Sequence, residues 1–262
     1  KFGVLLDRAR ALGADFVATG HYARVVHDGD RYILKRGMDA NKDQSYALWE
    51  MGQKELAQTV FPIGSLTKPE TRRIAEQLAP RVAQKKDSYE ICFIQGQSYE
   101  RFLRDWTASH PEAVEDLLSV EEPIRPGPIT DTEGHVLGEH RGYPLYTIGQ
   151  RKGLGLAAGR PVYVVDIIPE TNTVVVGEDE DLLRPSLIAE RVSWQSGHVP
   201  SDAFHGQAKI RYRHEGTAAT ITPRDGDCAD VTFDAQQRAI TPGQSVVFYD
   251  GDDVLGGGII RE

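Results

Sequence analysis

The chain has 262 residues, 40% of them hydrophobic and 26% charged, which excludes the disordered and fibrous classes and allows one large domain or two or three small ones. With 39 acidic against 30 basic residues its formal net charge is -9, so no overall basic field marks it for a polyanion. No apolar run approaches the ~20 residues of a membrane span, the start lacks a signal-peptide cleavage site, and two cysteines form neither a disulfide framework nor structural zinc, so the expectation is a cytoplasmic protein without membrane or structural metal.

In chain order, Val4, Leu5, Ala9 and Leu12 recur at helical spacing and stop at Gly13, predicting an amphipathic helix with a glycine beyond its end. Asp15-Phe16-Val17-Ala18-Thr19 reads as a buried strand, and this helix-to-strand step reads as the middle of an α/β sheet whose earlier strands lie elsewhere. Two runs, Ala23 to His27 and Arg31 to Lys35, flank Asp28-Gly29-Asp30 as a hairpin. A mixed helical stretch follows Gln44 to Trp49. Thr67-Lys68-Pro69-Glu70 is a helix start with a capping box and proline at the first helical position, and Arg72 to Leu78 follow as the helix body. Further short helices are predicted over Ser98 to Trp106 and, after a second capping signature at Ser109 to Glu112, over Ala113 to Leu118.

From about Glu121 the pattern changes to short β-branched and aromatic runs punctuated by proline and glycine: Pro161 to Val165, Thr173 to Val176, Ala218 to Ile221, Asp230 to Phe233 and Ser245 to Tyr249. The predicted architecture is an α/β segment, a short linking domain and a C-terminal β-barrel, divided at 1–98, 99–186 and 187–262.

Several stretches could carry chemistry. Thr19-Gly20-His21-Tyr22 stands where a parallel strand ends, a usual place for ligands in open α/β sheets; taken alone it reads as an ordinary tight turn with His21 hydrogen-bonded locally. Asn41 to Tyr46 is dense in side chains able to contact phosphate, sugar and base edges, or is simply a polar loop. Cys92 lies between Ile91 and Phe93 after Lys85-Lys86-Asp87-Ser88, so a buried hydrophobe and a reactive thiol able to take up sulfur as a persulfide are both open readings. Gly149 to Gly155 is a glycine-rich basic loop without the lysine-hydroxyl pair of a P-loop. Basic residues also gather at Lys35-Arg36, Arg72-Arg73 and the alternating Lys209, Arg211 and Arg213; any one such group alone is a solvated surface. Cys228 reads as structural.

Taken in order, Thr19 to Tyr22, Asn41 to Tyr46, Lys86 to Ser88 with Ile91 to Ile94, Gly149 to Gly155, Arg211 to Arg213, Thr241 to Ser245 and Leu255 to Ile260 resemble the tRNA-uridine 2-sulfurtransferase family, also called tRNA-specific 2-thiouridylases. The resemblance implies a multidomain α/β plus β fold: part of an adenine-nucleotide α-hydrolase-like (PP-loop) segment, a small central domain and a C-terminal β-barrel. It implies ATP with Mg²⁺, the anticodon arm of tRNA as partner, and a sulfur-relay protein or cysteine desulfurase as donor. Gly20 matches a position beside ATP, Cys92 the persulfide cysteine, and His21, Lys42, Asp43, Gln44, Arg211, Tyr212 and Gln244 match tRNA contacts.

The family reaction activates the uridine 2-oxygen as an adenylate, and the Cys92 persulfide then supplies sulfur to the positioned base. A second cysteine completes transfer through a disulfide with Cys92. The family's Ser-Gly-Gly-x-Asp-Ser loop does not occur in this sequence and its second catalytic cysteine normally precedes residues matching Lys1-Phe2, so the chain by itself is expected to be inactive. A non-catalytic tRNA-binding remnant of the family is the alternative. Thr107 to Glu122 is longer than the usual connection.

Overall fold

A computed structural model describes residues 2–83, 98–110, 124–157 and 159–261. The chain packs as two compact units, one formed by Lys1–Lys85, Pro185–Gln236 and Pro242–Glu262, the other by Lys86–Arg184 and Gln237–Thr241. Among the described residues no helix is long and apolar enough to cross a membrane.

The first unit opens with helix α1 (Phe2–Ala11), which buries Leu6 and ends at Gly13, whose φ of +77° favours glycine. Strand β1 (Val17–Ala18) leads to the hairpin β2 (Ala23–Asp28) and β3 (Arg31–Arg36), turned at Gly29 with φ +62°. Helix α2 (Gln53–Ala57) and strand β4 (Thr59–Val60) follow, β4 pairing parallel with β1. The buried strand expected at Asp15 to Thr19 is thus two residues long, with Phe16 exposed; among the described residues β1 pairs with β4 alone. Helix α3 (Lys68–Leu78) starts as predicted, with Glu70 accepting from the backbone N–H and hydroxyl of Thr67, and α4 (Pro80–Ala83) follows.

In the second unit α5 (Tyr99–Ser109) is capped by Ser98, whose hydroxyl accepts from the Arg101 N–H at 3.2 Å. Glu100 on its first turn pairs with both Arg104 and Arg141 at 3.1 Å. Four strands, β5 (Gly127–Thr130), β6 (Val136–His140), β7 (Tyr163–Ile168) and β8 (Thr173–Gly177), form a sheet in the order β6-β5-β8-β7, with β5 and β8 parallel. Ile129, Val164, Val174 and Val176 close its core with Tyr143 and Tyr146. The helix expected over Ala113 to Leu118 lies outside the described residues.

The chain then runs through β9 (Leu183–Trp194), β10 (Phe204–Lys209), β11 (Thr217–Arg224), β12 (Cys228–Arg238), β13 (Ser245–Asp250) and β14 (Asp253–Ile260). The order β13-β10-β11-β12-β9-β14, together with the β13–β14 pairing, closes these six strands into the expected C-terminal barrel, which has no free edge within it. The N-terminal hairpin extends the same sheet, β3 lying beside β14 with Lys35 opposite Asp253. A shared core of Leu34, Leu48, Trp49, Leu56, Val247 and Tyr249 binds hairpin, 45–61 segment and barrel together. Close approach is obligatory there: a Cβ at Gly257 would stand 2.9 Å from the Trp49 ring.

Candidate nucleic-acid interface

The polar loop after β3 folds against one end of the barrel. Asp43, only 5% exposed, anchors it: one carboxylate oxygen accepts from the Gly37 and Ser45 backbone N–H groups, both at 3.0 Å, and the other from the Ser45 hydroxyl at 2.9 Å. The Ser45 hydroxyl lies 3.1 Å from that of Tyr249 on β13. Gln44 is tied to the strand start, its side-chain oxygen accepting from the Tyr22 N–H at 3.0 Å while its own N–H donates to the Tyr22 carbonyl at 2.9 Å. Tyr46 donates its hydroxyl to the Ser245 carbonyl at 2.7 Å, and the Trp49 indole donates to the Ser245 hydroxyl at 3.0 Å. These bonds satisfy polar groups that burial would otherwise leave unpaired.

The turn after β10 carries Arg211, Tyr212 and Arg213. Tyr212 is 45% exposed and its ring meets that of Tyr46 edge-on, with centroids 6.5 Å apart. Lys209, the last residue of β10, is 6% exposed, with its ammonium 5.7 Å from the Tyr46 ring centroid and 5.9 Å from that of Tyr212. Arg36 lies over the Tyr249 ring at 3.9 Å and donates to the Gln207 side-chain oxygen at 3.1 Å.

The charges sense one another. Burial pushes the Tyr46 phenol up to about 12, with Arg211 opposing. The Tyr212 phenol is raised by burial and by the Asp43 carboxylate, against the pull of Lys42 and Arg213. Burial lowers the Lys209 ammonium, with Asp43 holding it up and Arg36 pushing it further down. Burial, Arg211 and Lys209 together lower His214. The result is a local excess of cations around exposed aromatic surface, in a chain whose net charge is -9.

Of the residues singled out from the sequence, Lys42, Asp43, Gln44, Arg211 and Tyr212 therefore gather in one region, and Gln244 adjoins Ser245 there, its carbonyl accepting from the Ile260 N–H. Sequence reading noted Lys35-Arg36 and Lys209 only as parts of basic clusters and did not single out Ser45 or Tyr249. His21 stands at a different place, its ring 5.9 Å from both Phe2 and Phe61 and its Nδ1 2.9 Å from the Thr19 hydroxyl. Gly20 beside it is exposed, with open space where a Cβ would project. Cys92 and its flanking Lys85 to Ile94 lie outside the described residues. Cys228 opens β12 half-buried, its thiol donating to the Gly226 carbonyl at 3.4 Å.

Three family matches tile the chain: a tRNA methyl transferase HUP domain over residues 1–96, a tRNA methyl transferase PRC-barrel domain over 115–178 and an aminomethyltransferase beta-barrel domain over 184–260. Among curated proteins, the tRNA-specific 2-thiouridylase MnmA of Moorella thermoacetica is 51% identical, covering 100% of this chain and 70% of its own length. That of Heliobacterium modesticaldum is 49% identical over 99% of the chain and 65% of its own length, and MnmA 1 of Caldanaerobacter subterraneus is 46% identical over 100% and 69%.

Proposed function

Since this chain belongs to the tRNA-specific 2-thiouridylase family, we propose that it serves the ATP-dependent 2-thiolation of the wobble uridine of tRNA, presenting the anticodon arm to a cysteine persulfide. The observation that carries the RNA-binding half is the meeting of the Lys42 loop with the Arg211-Tyr212 turn, which concentrates cations around an exposed tyrosine ring. Cations provide sequence-independent attraction to phosphates and an exposed ring a face for stacking.

In this reading Lys42, Arg211 and Tyr212 touch RNA, with His21 and Gln244 as further contacts. Asp43 and Gln44 act on the loop that carries Lys42, through the backbone bonds they make to Gly37, Ser45 and Tyr22. Gly20 would border ATP, and the open space above its backbone fits a group approaching closely. ATP bound there with Mg²⁺ would supply the adenylyl group that makes the uridine 2-oxygen a leaving group.

Cys92 would carry the transferred sulfur, received from a sulfur-relay protein or cysteine desulfurase. Its terminal persulfide sulfur bonds to uridine C2 as the activated oxygen departs. A second thiol then attacks Cys92 Sγ; the sulfur–sulfur bond breaks, 2-thiouridine is released, and the two cysteines end as a disulfide. The site of action is cytoplasmic.

The test is thiolation of a tRNA transcript by the full-length protein that contains this chain, with ATP and a persulfide donor. Formation of 2-thiouridine that disappears in Cys92→Ser is expected. Thiolation persisting in Cys92→Ser would remove the persulfide assignment, and tRNA binding without thiolation by the unmutated protein would leave a binding protein in place of an enzyme.

A further inference from the structure

Lys209 differs from the other described lysines that the sequence singled out. It is nearly buried, yet among the described residues no carboxylate comes within ion-pair distance of its ammonium, which faces the rings of Tyr46 and Tyr212. Asp43, whose carboxylate acts on Lys209 from nearby, spends both oxygens on Gly37 and Ser45. Arg36 adds a second cation on the same side, and its Nε is buried without an acceptor. A buried cation without a hydrogen-bonded counter-charge is costly, and an incoming anion relieves that cost while gaining charge-assisted bonds.

We infer that Lys209, with Arg36 behind it, forms an anion subsite beneath Tyr212 that takes one phosphodiester of the bound RNA. This rests on the RNA-binding reading above and deepens it. The two tyrosine rings hold the ammonium in place through their faces and narrow the approach to it. A phosphate there would fix the register of the strand while a neighbouring base meets the exposed Tyr212 ring. Inorganic phosphate shares the chemistry, so the site should also respond to the free ion.

The experiment compares Lys209→Met and Lys209→Arg in the full-length protein, measuring unmodified tRNA binding across a salt series. Each phosphate contact contributes a slope of about 0.7–0.9 in log affinity against log salt. Lys209→Met is expected to lower that slope by about one contact and weaken binding about tenfold at low salt, with Lys209→Arg keeping the slope. A slope unchanged in a folded Lys209→Met variant overturns the subsite, since a purely structural lysine would change affinity without changing the number of counterions released.

A second measurement needs no variant: the Lys209 ammonium resonance of the unmutated protein is followed by NMR during titration with inorganic phosphate against chloride at matched ionic strength. A saturable shift at Lys209 is expected, and its absence overturns the inference. Saturation by free phosphate combined with an unchanged tRNA slope would mark a free-anion site and overturn the RNA assignment. Failure of the unmutated protein to bind tRNA would remove the functional reading instead, and the phosphate titration would still decide the anion site.

Discussion

Gln195, just beyond β9, donates its side-chain amide to the carbonyl oxygen of Trp49 at 3.0 Å, and the same nitrogen reaches the Met51 carbonyl at 2.6 Å. Gln53 returns the favour, its amide nitrogen donating to the Gln195 carbonyl and to that of Tyr32, while its oxygen accepts from the Tyr32 N–H. Two glutamine side chains thus do, between the hairpin segment and the barrel, what a strand ladder does elsewhere. Gln195→Leu would leave two buried carbonyls without donors, at about 1–3 kcal/mol each. The expected outcome is a fall of ~2–4 kcal/mol in unfolding free energy by urea titration, with an unchanged denaturant slope. A loss below ~0.5 kcal/mol would show that these bonds do not hold the joint.

Asp43 supports a second prediction. Three donors converge on its carboxylate, so Asp43→Ala strips the loop of its anchor and leaves two backbone N–H groups unpaired. A destabilisation of ~2–4 kcal/mol is expected. Asp43→Asn can still accept both backbone N–H bonds while removing the charge beside Lys209, so it should retain most of the stability. If Asp43 acts through the loop, Asp43→Asn binds tRNA at least as tightly as the unmutated protein. Asp43→Asn losing tRNA tenfold while fully folded would instead make the carboxylate a direct contact.

Much of the fold was legible because its signals are local. The Asp28-Gly29-Asp30 turn, the Thr67 to Glu70 capping box and the β-branched runs of the barrel each declare themselves within a few residues, and each stands where it was expected. The extension of the barrel sheet by the hairpin was not legible, because the Lys35–Asp253 pair joins positions 218 residues apart and no local pattern encodes such a partner. The site divides the same way. Alternation marked Lys209, Arg211 and Arg213 as a basic group, but only the packing of Tyr46 against Tyr212 decides that Lys209 is the buried one. The polar density of Asn41 to Tyr46 gave no hint that Asp43 and Ser45 turn inward while Asn41 stays exposed.

The central unit carries a pH-sensitive element. His140, 1% exposed, has its Nε2 2.8 Å from the Asn172 carbonyl and accepts from the Gly142 N–H at Nδ1, 3.0 Å. That pattern fits the neutral ring with its proton on Nε2, because a proton on Nδ1 would face the Gly142 donor. Burial accordingly lowers its pKa in the folded state, outweighing the raising effects of Asn172 and Glu139. The unfolded chain therefore takes up the proton first as pH falls. The stability associated with neutral His140 is complete above about pH 6.5 and declines as acid enters the unfolded state. Asp131, held low chiefly by the His135 N–H, works in the same direction but in a more acidic range, below the ordinary aspartate value. A His140→Gln variant should flatten the pH dependence of the unfolding midpoint as the pH falls below about 6.5. Identical profiles for the two proteins would assign the acid sensitivity elsewhere.

Arg211 and Tyr212 separate two kinds of contribution to RNA binding. Arg211 lies close enough to Tyr46 to oppose the burial that raises its phenol, and its charge should act on phosphate from beside the Lys209 cluster. Arg211→Ala is expected to cost ~1 kcal/mol or more in tRNA affinity, with the loss shrinking as salt rises. Tyr212 presents a ring, so Tyr212→Leu should cost ~1–3 kcal/mol with little change in salt slope if a base stacks on it. Tyr212→Phe distinguishes the ring from the hydroxyl: full affinity in Phe supports stacking, and a loss equal to that in Leu transfers the contact to the hydroxyl. Since Tyr212 also covers Lys209, the Leu variant could act by exposing that ammonium to water. In that case the salt slope would change along with the affinity, so the slope decides which of the two the ring does.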